Sequence, residues 1–120
     1  MKLRLKKNSI RLRLQISEIT QLRESGYVEE EIKFSPTQTF TYSIHIKENE
    51  NQVSSGFLNN SVKINIPNQI AKPWLETDQV SIEHSQVVNE GLSLNILLEK
   101  DFQCLSPREN ETDMYPNPEA

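Results

Sequence analysis

The chain has 120 residues, 35% of them hydrophobic and 25% charged, with 13 Lys/Arg against 17 Asp/Glu and one cysteine. That length suits one small domain with a modest core. These numbers exclude a disulfide scaffold, a collagen-like fibre and a large cofactor enzyme, and no run approaches the roughly 20 apolar residues of a transmembrane helix. Residues 2–6 and 9–14 alternate charge with Leu or Ile around Lys7-Asn8, which predicts a hairpin with Asn in its two-residue turn. Pairing Lys6 with Ser9 sets Leu5 against Ile10, Arg4 against Arg11, Leu3 against Leu12 and Lys2 against Arg13, so apolar and basic side chains take opposite faces. Ser17 then caps a short helix with an Ile16, Ile19, Leu22 stripe and Gly26 just past its end. Residues 27–34 read as a strand with Val28, Ile32 and Phe34 on one face. In 39–47, Phe40, Tyr42, Ile44 and Ile46 alternate with Thr41, Ser43, His45 and Lys47.

A shift of 52 residues repeats the pattern. Asn8–Leu14 lands on Asn60–Ile66, Val28 on Val80, and Phe40, Tyr42, Ile44 and Ile46 on Leu92, Leu94, Ile96 and Leu98. The chain therefore reads as two strand–strand–helix–strand–strand units, at 2–48 and 54–100. In the second unit Pro73 is expected to break the helix into one turn at 68–72 and another from Pro73, with Ile70 and Trp74 buried. Residues 1–103 are assigned to one domain. Residues 104–120, rich in acids and Pro, read as an extended tail.

The segments NNSVKINIP (59–67), Asp78-x-Val80-x-Ile82 and Gly91-Leu92-x-Leu94-x-Ile96 resemble the AbrB/MazE type of swapped-hairpin barrel. That resemblance implies an α+β, mostly β fold: a duplicated ββαββ unit forming one small barrel with two short helices, a single-chain pseudo-dimer. It also implies DNA binding through bases near the first turn, with Lys6, Lys7, Arg11 and Arg13 in comparable places. An acidic C-terminal extension of such proteins wraps a basic partner, which makes Met114 and Tyr115 candidate anchors. The whole chain further resembles a small bacterial family of unknown function, through its K-L-R-L-K-x-N-S-I-R-L-R-L start and E-K-D-F-x-C-L-x-P-R end.

Charge is uneven: residues 1–47 hold nine Lys/Arg against five Glu, and 48–120 four against twelve Asp/Glu. Lys2, Arg4, Lys6, Lys7, Arg11 and Arg13 form a basic ribbon with three readings. It tracks nucleic acid, it meets an acidic protein, or Glu29, Glu31 or the tail neutralise it within the molecule. The second unit carries Leu58, Asn59, Ser61, Lys63 and Asn65 at the matching positions, so half of a nucleic-acid footprint has lost its charge. Cys104, His45 and His84 lack metal-ligand spacing: His45 falls on a polar strand face, and His84 follows an apolar alternation. Glu29, Glu30, Glu31, Glu83, Glu99 and Asp101 have strand-surface spacing. No phosphate-cradling or nucleophile motif occurs.

The expectation is a non-enzymatic interaction module without metal or cofactor, presenting the basic hairpin face and the acidic tail to a protein partner. A DNA-binding, transcription-factor-like or antitoxin-type pseudo-dimer is the alternative, and a thiol- or metal-dependent enzyme is third. The basic start lacks an apolar signal region, and one cysteine fits a reducing compartment, so a cytoplasmic location is expected with no membrane partner. The protein is expected as a monomeric pseudo-dimer or a weak homo-oligomer.

Overall fold

The computed structural model describes residues 1–102 together with 115, 116 and 118. Among these, the elements run β1 (Lys2–Lys6), β2 (Ser9–Leu14), α1 (Ile16–Ser25), β3 (Tyr27–Ser35), β4 (Gln38–Lys47), β5 (Ser54–Leu58), β6 (Ser61–Pro67), α2 (Asn68–Glu76), β7 (Ser81–Asn89) and β8 (Leu92–Lys100). The α+β, mostly β class and the two short helices are as expected. The β1–β2 register agrees with the predicted one at every pair.

The strands form two four-stranded sheets, ordered β1-β2-β8-β7 and β3-β4-β6-β5. Each sheet takes one hairpin from each half of the chain. Its central pair is parallel: β2 beside β8 in the first, β4 beside β6 in the second. The expected barrel does not close. Among the described residues, the edge strands β1, β7, β3 and β5 each pair with one neighbour only. Where the sheets meet, side chains rather than a backbone ladder bridge them. The Tyr42 hydroxyl donates to the Met1 carbonyl at 2.8 Å, and the Ser55 N–H and hydroxyl both donate to Gln86 Oε1 at 2.8 Å. The Met1 α-amino group joins this seam through Glu18 and Glu30.

The duplication is not gapless. β1/β5, β2/β6 and α1/α2 begin at 2/54, 9/61 and 16/68, an offset of 52, but β3/β7 and β4/β8 begin at 27/81 and 38/92, an offset of 54. The pairs Tyr42↔Val62 and Ile96↔Ile10, and the irregularities at Lys33/Ser35 and Val87/Asn89, obey the larger offset. Tyr42 thus corresponds to Ile96 rather than Leu94, and Val28 to Ile82 rather than Val80. Two extra residues enter between α2 and β7. A two-residue shift keeps every side chain on its face, so alternation alone is blind to it.

The interior is filled from both sheets and both helices. Leu12, Leu14 and Leu98 of the first sheet, Ile44, Ile64 and Ile66 of the second, and Leu22 and Trp74 of the helices are fully buried. The buried Trp74 Nε1–H donates to the Val80 carbonyl at 3.0 Å, which satisfies its one polar atom. Gly26 closes α1 at φ +80°, its N–H bonded to the Leu22 carbonyl at 3.0 Å, as the sequence predicts. Ser17 is not the cap. Gln15 occupies that position, and its N–H is taken by the Glu18 carboxylate at 2.8 Å, leaving Ser17 inside the first turn. Ile19 and Leu22 are buried, but Ile16 is 86% exposed, on the rim of a groove with Ile19 and Phe102.

Pro73 does not break α2. It lacks only the donor for the Gln69 carbonyl, and the buried Ala71, Trp74 and Leu75 hold the helix on the core around it. Ile70 is half-buried rather than buried. Likewise only Val28 of the predicted β3 face reaches the core: Ile32 and Phe34 lie further along the hairpin and are 43% and 72% exposed.

Candidate basic surface of the first sheet

Side-chain alternation and register place three rows on one face of the first sheet: Lys6–Ser9–Asn95–Ser85, Arg4–Arg11–Leu97–Glu83 and Lys2–Arg13–Glu99–Ser81. Five of the six predicted bases lie in these rows. Lys7 stands at the tip, in the turn. A cleft of about 560 Å³ opens over the first two rows, with Arg4, Lys6, Arg11, Glu83, Ser85 and Asn95 among its walls.

The bases divide into two groups. Arg11 Nη2 and Arg13 Nε both reach Glu99 Oε1, at 2.5 Å and 2.6 Å, and Lys2 Nζ lies 3.0 Å from Asp101 Oδ2. Glu99 therefore supplies a counter-charge to Arg11, which offsets the like-charge pairing with Arg4 that the hairpin register creates. Arg4, Lys6 and Lys7 make no ion pair among the described residues. Neutralisation within the molecule is real but comes from β8 and the residue after it. Glu29 and Glu31 sit on β3 in the other sheet, where Glu31 meets Lys33 at 3.3 Å. The tail's contribution, including Met114 and most of 104–120, lies outside the described residues. Tyr115, the other candidate anchor, is 98% exposed.

The turn geometry differs from expectation in one respect. Lys7, not Asn8, takes the positive φ, at 52°. A positive φ at the first central residue alone is the type II′ pattern, whereas Asn59 and Asn60 are both positive, at 52° and 61°, the type I′ pattern.

The corresponding face of the second sheet is nearly stripped of base. Its rows read Leu58–Ser61–Thr41–Glu31, Gly56–Lys63–Ser43–Glu29 and Ser54–Asn65–His45–Tyr27. His45 lies there as predicted, stacked on Tyr27 with ring centroids 5.7 Å apart, its Nε2 3.0 Å from the buried Ser43 hydroxyl. Burial, and then Lys47 and Lys63, hold its pKa below the ordinary 6.5 against an opposing pull from Glu29. His84 is half-buried in the first sheet, beside Ile96. The two histidines thus belong to different sheets, and Cys104 lies outside the described residues. Among those residues, no three His, Cys, Asp or Glu side chains gather as metal ligands.

Two features escape sequence reasoning. Glu99 and Asp101 reach the ribbon only because β8 runs parallel beside β2, a pairing across 86–88 residues that no local pattern announces. The Met1–Glu18–Glu30–Tyr42 cluster likewise depends on Met1 meeting side chains of α1, β3 and β4.

A family model matches residues 1–119. The chain belongs to DUF7009, a family of unknown function. No curated protein and no solved structure matches it. Membership agrees with the expected family of unknown function and names no activity. No described helix is long and apolar enough to cross a membrane.

Proposed function

We propose that this protein is a non-enzymatic interaction module that holds an acidic polypeptide partner against the basic face of its first sheet. One observation carries the reading. Arg4 and Lys6 flank an open cleft without a carboxylate partner among the described residues, while their neighbours Arg11, Arg13 and Lys2 are already held by Glu99 and Asp101. Exposed unmatched bases beside a pre-ordered arginine pair attract and orient an anionic partner.

DNA binding, which the AbrB/MazE-type resemblance supports, is the second reading. The interleaved hairpins favour it, because they present two related surfaces. The charges weigh against it: half of the ribbon is already matched, and the corresponding rows of the second sheet offer Lys63 as their one base, with Glu29 and Glu31 on the same face. Only a few phosphates would then be neutralised, and binding that weak does not survive physiological salt.

Fluorescence anisotropy with labelled poly-glutamate and a labelled random DNA duplex, at low and physiological salt, tests the two readings. Binding of poly-glutamate that is lost in Arg4→Glu/Lys6→Glu supports the proposal. Salt-resistant binding of the duplex with none of poly-glutamate overturns it in favour of nucleic acid. Binding of neither at low salt removes both.

A further inference from the structure

The free edge of β1 offers more than charge. Among the described residues, β1 pairs with β2 on one side and with no strand on the other. Lys6 and Ser9 close the two-residue turn, and in such hairpins the closing pair exchanges both backbone hydrogen bonds. Alternation then turns the N–H and C=O of Lys2, Arg4 and Lys6 toward β2, and those of Leu3 and Leu5 outward. Leu5 is 61% exposed and Leu3 half-buried, so this edge is open to an incoming strand.

We infer that β1 is a strand-addition site for an extended peptide that alternates acidic and apolar residues. This rests on the acidic-partner reading above and specifies its mode. An added strand would bond to the Leu3 and Leu5 backbone groups. Its residues on one face would lie beside Arg4 and Lys6, which lack ion partners among the described residues, and those on the other beside Leu3 and Leu5. Acid belongs on the first face and apolar side chains on the second. A β1 strand from a second copy fits poorly, because antiparallel pairing of two such edges sets Lys and Arg against Lys and Arg. The β3 edge of a second copy fits poorly too, since Glu30 would fall on the apolar face and is already bound to the Met1 α-amino group.

The test uses the full chain and two labelled peptides of equal composition: one strictly alternating Glu and Val, the other with Glu and Val in separate blocks. The alternating peptide is expected to bind on the order of tenfold more tightly, the equivalent of one or two backbone hydrogen bonds. Leu5→Pro removes an outward N–H without removing a bond to β2, a substitution that edge strands tolerate. It should weaken that peptide by a similar factor while leaving the urea midpoint near wild type. Should Leu5→Pro fail to fold, amide exchange on the wild type decides: peptide should slow Leu3 and Leu5 and leave Arg4 and Lys6 unchanged. Equal binding of both peptides, or unchanged exchange at Leu3 and Leu5, overturns strand addition. In that case, loss of binding in Arg4→Glu/Lys6→Glu keeps the basic-face reading alive, and wild-type binding by that variant ends both. Concentration-dependent self-association that Leu5→Pro abolishes assigns the edge to a second copy and also overturns the inference.

Discussion

Arg11 and Arg13, two positions apart on β2, share one carboxylate oxygen, Oε1 of Glu99 on the neighbouring parallel strand. The Glu99 side chain is 16% exposed and those of Arg11 and Arg13 28% and 29%, so the triad is partly shielded from water. One negative charge cannot neutralise two positive ones. The face keeps a net positive charge even where it is paired.

Glu99→Gln tests that arrangement. The amide keeps the shape but leaves two partly buried guanidinium groups without a counter-charge, and stability should fall by about 1–2 kcal/mol. Binding of an acidic polypeptide should tighten in the same variant, because two more bases become available. Urea titration and anisotropy read the two effects separately. A variant as stable as wild type would show that the triad is ornamental.

Acid should weaken the fold through two groups. The His45 pKa is depressed in the folded state, first by burial and then by Lys47 and Lys63. Below its ordinary value of 6.5, the unfolded chain takes up a proton that the folded chain refuses, so stability falls as pH drops through that range toward the folded pKa. Glu18 acts lower. Burial works to raise its pKa, but hydrogen bonds from the Met1 α-amino group and the Gln15 N–H outweigh that and hold it below 4.5. Its contribution is present above 4.5 and is lost as pH falls below. Urea midpoints measured from pH 7 to 5 should decline in the wild type and flatten in His45→Gln. Equal slopes in the two proteins would exclude His45 as the cause.

Lys7 holds a positive φ that glycine adopts without penalty. Lys7→Gly should raise stability by about 0.5–1 kcal/mol, the left-handed penalty less the entropy cost of glycine. Lys7→Val should lower it, because a β-branched side chain resists that region. Thermal unfolding of the pair checks the sign, and an unchanged or lower midpoint for Lys7→Gly counts against a strained positive φ at Lys7.

Pro73 is exposed in the interior of α2, and it lacks the N–H that would bond to the Gln69 carbonyl one turn earlier. Pro73→Ala should restore that bond and stabilise the protein by about 1–3 kcal/mol. A loss of stability would mean that proline's restriction of the unfolded chain outweighs the helix penalty.

Local features were readable in advance, and long-range ones were not. The β1–β2 register followed from alternation because a one-residue slip would have exposed every Leu. Gly26 ended α1 because no other residue accepts its φ so cheaply. The basic face was legible for the same reason as the hairpin. Its counter-ions were not, since Glu99 and Asp101 belong to a strand brought in from the other repeat. The repeat was visible, yet its two inserted residues were hidden by the period of two. Pro73 misled because propensity describes an isolated helix, whereas Trp74 and Leu75 bind this one to a core.

The interleaving of hairpins makes the covalent link between halves a matter of concentration rather than architecture. Residues 48–53 join β4 to β5 without belonging to either sheet, and although Val53 is buried, Asn49, Asn51 and Gln52 are exposed. A single cut there leaves β2 bonded to β8 and β4 to β6, so the nicked fragments stay together as a heterodimer. What changes is molecularity: an internal effective concentration, on the order of millimolar for a short flexible link, is replaced by the concentration in solution. Unfolding of the nicked protein then becomes dependent on dilution, which unfolding of the intact chain is not.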